Sequence, residues 1–342
     1  MTDKKKPSRG RKPATPAVPV VALTGANTFL GQRLLRRLQA RGDFSIVVVD
    51  IKRPQELAKE HKFYKVDLTQ PTADAVLADI FKREHVDTVI HMAFMSNPSR
   101  NQTAAHELEV IGTLNLLHAA AEVKLRKLVV RSTTMVYGAH PSNPNFLTED
   151  MPLKPPRHYR FVRDKGEVEE LLVRHRRKHP ETCVTVLRMC TILGPTVRNF
   201  VTDYLRRPVC TTLLGYDPLF QLVHENDVIE AFELAIDQDQ STAFNIVGPG
   251  VLPLSTILKL AGRIAVPIAH PIAYPMVQAA WLAGLSPVPA PHLDYIRYLW
   301  VADGEKAQRL LGFKPRHSTR DTVEVFAGVQ RLRDVHLIEQ AD

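Results

Sequence analysis

Val20-Val21-Ala22-Leu23-Thr24-Gly25-Ala26-Asn27-Thr28-Phe29-Leu30-Gly31, followed by Gln32 to Ala40 and then by Ile46-Val47-Val48-Val49-Asp50, is the stretch that decides the fold. Four apolar residues supply a buried strand, Gly25 allows a tight turn, and Leu34, Leu35 and Leu38 fall at helical spacing. At such a strand–turn–helix junction the first N–H groups of the helix and the positive end of its dipole face an anion, and Gly25 and Gly31 let the backbone come close to it. A pyrophosphate suits that place. Asp50 ends the second apolar run, about 20 residues beyond the glycines, where a carboxylate accepts from an adenosine ribose hydroxyl. The pattern predicts a dinucleotide site that takes NAD in preference to NADP, since an added phosphate would meet Asp50. Arg53 argues the other way.

Outward from this junction, apolar runs and helical patterns alternate. Phe63 to Val66 is a short strand, Ala73 to Arg83 a helix, Thr88 to Met92 a strand, and Thr103 to Val123 a long amphipathic helix. Leu128 to Val130 is the next strand, a helix follows from about Arg160 to His175, and Val184 to Met189 is a strand leading to Gly194-Pro195. This alternation predicts an α/β fold with a Rossmann-type, doubly wound parallel sheet over residues 20–194. Beyond Gly194 prolines interrupt short segments, so residues 195–342 are expected to form a smaller, substrate-binding lobe interleaved with the sheet domain. Ile264 to Ser286 is unusually apolar and carries Trp281, but three prolines and a histidine break it, which argues against a membrane-spanning helix. It reads as core and packing helix, with a greasy pocket or a membrane-surface contact as alternatives.

The chain has 342 residues and a net charge of +9. Five of those charges fall in the first twelve residues, where Lys4, Lys5, Lys6, Arg9, Arg11 and Lys12 face only Asp3, and four remain for the body. Residues 1–19 read as a disordered basic tail without the apolar stretch of a signal peptide, which favours a cytoplasmic protein. Nucleic-acid binding would rest on this tail alone and is not favoured. The basic run Arg174 to His179 closes a helical pattern, where cations complement the dipole. Cys183, Cys190 and Cys210 are odd in number and lack metal-ligand spacing, so reduced thiols are expected. The fourteen histidines form no H-E-x-x-H pattern, and no metal site is expected.

Ser132-Thr133-Thr134-Met135-Val136-Tyr137-Gly138 and the helical Lys165-Gly166-Glu167-Val168-Glu169 extend the pattern begun at Gly25. With Asp67-Leu68, His91-Met92-Ala93, Gly112 to Asn115, His224 with Asp227, and Leu311 to Pro315, the chain resembles the extended short-chain dehydrogenase/reductase family, the NAD-dependent epimerase/dehydratase group. The resemblance runs from about Val20 to Phe326. It implies a cofactor site made of Gly25, Asn27, Thr28, Phe29, Leu30, Gly31, Asp50, Ile51, Arg53, Asp67, Leu68, Met92, Ala93 and Lys165. It also implies a small-molecule substrate, and a homodimer through the helices near 103–123 and 160–175, whose Leu108, Ile111, Leu171 and Leu172 suit intramolecular core as well.

In that family a Ser or Thr hydroxyl, a Tyr and a Lys four residues later make the catalytic set. The lysine binds nicotinamide ribose and lowers the phenol's pKa so that tyrosine exchanges a proton as hydride moves. Thr133 matches the hydroxyl and Lys165 the lysine, but the tyrosine position holds Phe161. Three explanations compete: an NAD-binding pseudoenzyme, another proton donor, or a reaction that needs no proton from that position. Tyr159 is a substitute only if it is brought round, since two residues rotate a helix by about 200°. Tyr137, His158 and His224 are further candidates, each with a structural alternative.

Three more departures bear on ligands. Family members acting on UDP-sugars usually carry asparagine where this chain has Thr191, and arginine where it has Phe220, four residues before His224. Losing an amide and a guanidinium removes donors suited to a nucleotide sugar's phosphates, so an apolar substrate stands beside a nucleotide sugar as a reading of Thr191, Phe220 and His224. Thr28 occupies a family glycine position, where its Cβ is expected to crowd the diphosphate and to resist a positive φ, with Asn27 or the Thr28 hydroxyl donating to a phosphate instead. Asp67 is placed either beside adenine or as a helix cap, and Asn115 is expected to order backbone near the site. The leading expectation is an NAD(H)-binding oxidoreductase or epimerase-like protein with altered acid/base chemistry. A noncatalytic dinucleotide sensor or scaffold is the alternative.

Overall fold

In the computed structural model, which describes residues 18–334, the opening stretch folds as β1 (Val20–Thr24), a turn, and α1 (Phe29–Arg41). The basic leader lies outside the described residues up to residue 17. Alternate residues of β1 and β2 (Ser45–Asp50) point to opposite faces, as the two-residue period of a strand requires. Val21, Leu23, Ile46 and Val48 join one hydrophobic core, and Ala22, Val47 and Val49 join a second. Both faces are therefore apolar. That is why the strands read as unbroken hydrophobic runs rather than as alternating ones.

The main sheet is completed by β3 (Lys62–Lys65), β4 (Thr88–His91), β5 (Lys127–Thr133), β6 (Cys183–Met189) and β11 (Ala243–Ile246), in the order β11-β6-β5-β4-β1-β2-β3. Every pairing in it is parallel, with Val21 opposite Ile46 on one side and Thr88 on the other. Leu34, Leu35 and Leu38 of α1 and Val228, Ile229 and Phe232 of α7 (Glu225–Asp237) cover the first face. α2 (Ala73–Glu84), α4 (Gly112–Val123) and α5 (Arg160–Lys178) cover the second. The strand order reverses between β1 and β4, so a crevice opens beyond their carboxyl ends, where ligands bind in sheets of this kind.

The long helix expected over 103–123 is divided. α3 (Gln102–His106) passes through a π-helical turn (Glu107–Ile111) before α4 begins. β11 and α7 come from beyond residue 194 and return to the main sheet, so the two halves of the chain interleave there.

From residue 191 the chain continues outside the main sheet with β7 (Thr191–Leu193), α6 (Phe200–Arg206), β8 (Val209–Leu213), β9 (Leu219–Phe220) and β10 (Leu222–His224), the strands pairing in small two-stranded sheets of their own. β12 (Leu252–Pro253), α8 (Leu254–Leu260), β13 (Ile264–Ile268), α9 (His270–Leu282), a 3-10 turn (Ala290–Ile296), α10 (Glu305–Leu310) and α11 (Thr319–Asp334) follow. The apolar segment from Ile264 is thus a strand and a helix with Pro275 inside it, and no described helix is long and apolar enough to cross a membrane.

Candidate active site

Gly25 has φ +69°, and a Cβ there would lie 2.5 Å from the Ala93 nitrogen and the Met92 carbonyl carbon. The turn needs glycine for its backbone angle and for the contact with the end of β4. Gly31 is needed because a Cβ would drive into the Gly25 carbonyl oxygen.

Thr28 behaves differently from the expectation. Its φ is −69°, so no strain arises, and it is the N-cap of α1: its hydroxyl donates to the Gly25 carbonyl at 2.7 Å and accepts from the Gly31 N–H at 3.1 Å. The left-handed position in this turn belongs to Gly25. The Asn27 side chain donates to the Lys52 carbonyl, so neither residue directs its side-chain donor as a phosphate ligand would require. The Gln32 N–H is taken by the Thr28 carbonyl, which leaves Phe29 and Leu30 with first-turn N–H groups that have no acceptor among the described residues. Those two amides are the donors an anion would meet.

Asp50 stands at the end of β2, where its carboxylate accepts from the Ile51 N–H at 2.7 Å and the Asn27 N–H at 3.2 Å. Ile51 and Arg53 are exposed beside it, and the Arg53 guanidinium reaches the Leu57 carbonyl. Asp67 is exposed and accepts from the Thr69 N–H, the Thr69 hydroxyl and Gln70, contacts that hold its carboxyl below the usual range. Locally it organises a turn, as a cap would. Asn115 donates to the Leu68 and Gln70 carbonyls, fixing that same loop from α4. Leu68, Met92 and Ala93 therefore lie on backbone that Gly25 and Asn115 position.

Phe29, Leu30, Thr133, Phe161, Lys165 and Thr191 line one cavity of about 80 Å3. Thr133 ends β5, and its hydroxyl accepts from the Met135 N–H at 3.3 Å. Phe161 and Lys165 lie one turn apart on α5, as positions i and i+4 do, and Lys165 Nζ stands 4.1 Å from the centre of the Phe161 ring. The phenyl ring thus meets the ammonium through its face, without a hydroxyl to donate.

The ammonium has another partner. Lys165 Nζ donates to Glu109 Oε1 at 2.6 Å, and the same oxygen accepts from the Met95 N–H at 2.9 Å. Both side chains are buried; burial lowers the Lys165 pKa, and the Glu109 carboxylate opposes that shift. The π-helical turn delivers Glu109 to this position while Asn115 points to the Leu68 loop, so the two serve different faces. Arg131, on β5, adds a buried guanidinium that reaches Ser96 at 3.3 Å. Neither Glu109 nor Arg131 is singled out by the sequence analysis. An acid on the apolar side of an amphipathic helix was the available signal.

The other acid/base candidates are engaged elsewhere. The Tyr137 hydroxyl donates to Asn245 and accepts from Arg188, each at 2.8 Å, and Arg188 forms a buried pair with Glu169. His158 is exposed. His224 caps α7 by accepting the Asn226 N–H on Nδ1 and stacks on His317 at 4.0 Å, and it does not line the cavity that holds Thr133 and Lys165. Tyr159 precedes the first turn of α5, which frees it from the helical rotation expected to turn it away. Its ring lies 5.9 Å from that of Phe161.

Beside this cavity, and sharing Met135, Thr191 and Phe200 with it, lies a second of about 170 Å3. Phe220, Leu222, Ile257, Val277, Leu293 and Trp300 contribute to its wall. Its polar atoms are largely engaged by backbone. Tyr204 donates to the Thr211 carbonyl and Tyr295 to that of Met135, both at 2.8 Å, while Trp300 donates to the Tyr295 carbonyl at 3.0 Å and Ser286 to that of Val288 at 2.6 Å. Arg207, the cation on the wall, is exposed.

His224, Asp227 and His317 cluster closely enough to share an ion, as do His106, Asp164 and Glu167. In the first group, Nδ1 of His224 accepts a backbone N–H, so the neutral ring carries its proton on Nε2 and has no lone pair there for a metal. Asp227 accepts from the His317 and Arg316 backbone N–H groups, which reads as a cap. The three cysteines are free, and burial pushes the Cys190 thiol up to about 12.

Residues 21–247 match the model of a family described as NAD dependent epimerase/dehydratase. An uncharacterized protein of Mycobacterium tuberculosis is 30% identical over 330 residues, spanning 93% of this chain and 87% of that one. UDP-glucuronic acid decarboxylase 2 of Arabidopsis thaliana is 26% identical over 315 residues, 88% of this chain and 65% of its own. UDP-glucose 4-epimerase of Thermotoga maritima, solved with UDP-glucose, shares the fold with a TM-score of 0.71 at 18% identity, over 92% of this chain and 99% of that one.

Proposed function

Because the chain belongs to the NAD-dependent epimerase/dehydratase family, we propose that it binds NAD(H) in the crevice above β1 and β4 and transfers hydride to or from a mainly apolar substrate. The residues present suit the cofactor. The free N–H groups of Phe29 and Leu30 face the place of the diphosphate, Asp50 supplies the ribose acceptor, and the Gly25 turn keeps the chain close to Met92 and Ala93. When bound, NAD supplies the hydride acceptor. Thr133 would offer a hydroxyl to the substrate oxygen and relay to or from bulk water the proton that accompanies the hydride, Lys165 would lend positive charge to the nicotinamide side, and Phe161 would take no part in that proton transfer.

The observation that carries the substrate class is the second cavity, whose tyrosine, tryptophan and serine donors already serve backbone carbonyls. A diphosphate entering there would meet Thr191 and Phe220 instead of an amide and a guanidinium. An apolar body is favoured by the same wall.

One observation favours a second reading, a noncatalytic dinucleotide sensor or scaffold: Lys165 is already paired with Glu109 and faces a phenyl ring. Calorimetry with UDP-glucose and with a series of hydrophobic ketones and secondary alcohols, each with NAD(H), tests the substrate class. Saturable binding of the ketones and alcohols with turnover is expected. Tight UDP-glucose binding with none to the hydrophobic series overturns the apolar assignment, and cofactor binding without any turnover selects the sensor.

A further inference from the structure

His292 is the exception among the ring donors of the apolar cavity. Its Nδ1 lies 3.0 Å from the Tyr159 hydroxyl, whereas its Nε2 has no hydrogen-bond partner among the described residues. The imidazole is packed edge-on against Phe200 at 4.5 Å and stacked on Tyr295 at 5.8 Å. The half-buried ring lines the apolar cavity, so Nε2 is left for a ligand or water that enters there.

Its position gives the ligand a direction. Phe200 touches His292 on one side and Phe161 on the other, and it lines both cavities. Tyr159 ties the ring to the start of α5, the helix that carries Phe161 and Lys165. A polar group bound at Nε2 would therefore sit at the end of the apolar cavity that adjoins Thr133 and Lys165.

Building on the apolar-substrate reading, we propose that His292 Nε2 is the recognition point for a single hydroxyl or carbonyl oxygen on an otherwise apolar ligand, and that Tyr159 is the positioning residue that fixes its orientation while pairing with either tautomer. When the Tyr159 O–H donates to Nδ1, the neutral ring presents Nε2–H to a carbonyl. When Nδ1–H donates to the Tyr159 oxygen, Nε2 accepts from a hydroxyl. Burial lowers the His292 pKa to about 3, which keeps the ring neutral in either role.

Three probes of one shape separate the contributions: 2-acetylnaphthalene, 1-(2-naphthyl)ethanol and 2-ethylnaphthalene, with affinities from equilibrium dialysis against the full chain. The ketone and the alcohol are expected to bind about 3- to 10-fold more tightly than the hydrocarbon, the range a net hydrogen bond supplies. His292→Phe is expected to abolish that preference while leaving the hydrocarbon within twofold of wild type, and Tyr159→Phe to reduce it with the hydrocarbon again unchanged. In wild type the ¹⁵N resonance of His292 Nε2 should move with the ketone and not with the hydrocarbon. Binding of all three without preference, or a preference that survives His292→Phe, overturns the anchor alone. Failure of all three to bind overturns the apolar-substrate reading and the anchor with it.

Discussion

Lys165 Nζ and Glu109 Oε1 are 2.6 Å apart inside the protein, joining α5 to the π-helical turn. Each neutralises a charge that would otherwise be buried alone. Removing one partner of such a pair costs about 3–5 kcal/mol, whereas removing both costs much less. Glu109→Gln is expected to lower the unfolding free energy from urea titration by that amount, and the double variant with Lys165→Met to recover most of the loss. Strictly additive losses would show that the two groups do not depend on each other.

Phe161→Tyr places a hydroxyl on the ring that Lys165 already faces at 4.1 Å. If the protein turns over as proposed, the new phenol should raise the hydride-transfer rate, within the roughly 10²–10⁴-fold range of positioned acid/base groups, without changing cofactor affinity. Single-turnover absorbance at the nicotinamide band reads this directly. A variant no faster than wild type would show that the ring position no longer addresses the substrate oxygen.

The sheet was legible because its central strands, β1 and β2 among them, are apolar on both faces, and Gly25, Gly31 and Asp50 stand at spacings set by backbone geometry. The turn at Thr28 was misread because its sequence position resembles one that needs glycine, while a threonine that caps its own helix meets the same backbone requirement with φ −69°. Glu109 was hidden by the π-helical turn, which alters the helical register that periodicity assumes. His292 lies in a proline-broken segment without periodicity, and its partner Tyr159 is 133 residues away in sequence. Only tertiary packing brings them together.

Gly25→Ala combines a left-handed backbone angle with a Cβ 2.5 Å from the end of β4. Both terms act against folding, and together they are expected to cost about 2–5 kcal/mol. Differential scanning fluorimetry should show a clear fall in Tm. Gly42→Ala, where φ is +70° and nothing lies within 4 Å of a Cβ, should cost less, which isolates the steric part.

Stability should fall on mild acidification. Burial lowers the pKa of His91 to about 3 and those of His175 and His224 to about 4, against about 6.5 when unfolded. Between those limits the unfolded chain binds more protons than the folded one, so stability is full above pH 6.5 and is lost as pH falls through the window. Each such histidine adds up to about 1.4 kcal/mol per pH unit to the slope. Urea midpoints between pH 4 and 7 check this. His91→Asn should reduce the slope, and an unchanged slope would show that His91 is not held neutral.

In the proposed cofactor site, Asp50 is the residue expected to choose between NAD and NADP. Its carboxylate is already oriented by the Ile51 and Asn27 N–H groups, so it can accept from ribose without a further ordering cost. A 2′-phosphate in the same place would meet that negative charge, and the exposed Arg53 guanidinium is the nearby group that would favour it. NADH is therefore expected to bind at least about 10-fold more tightly than NADPH, in keeping with the 1.5–3 kcal/mol of a hydrogen bond to a charged group. Asp50→Ala should weaken NADH by about 10-fold or more and narrow the gap to NADPH. Fluorescence titration of both nucleotides against wild type, Asp50→Ala and Arg53→Ala separates the two residues. Tighter NADPH binding that is lost in Arg53→Ala would reverse the assignment and make Arg53 the determinant.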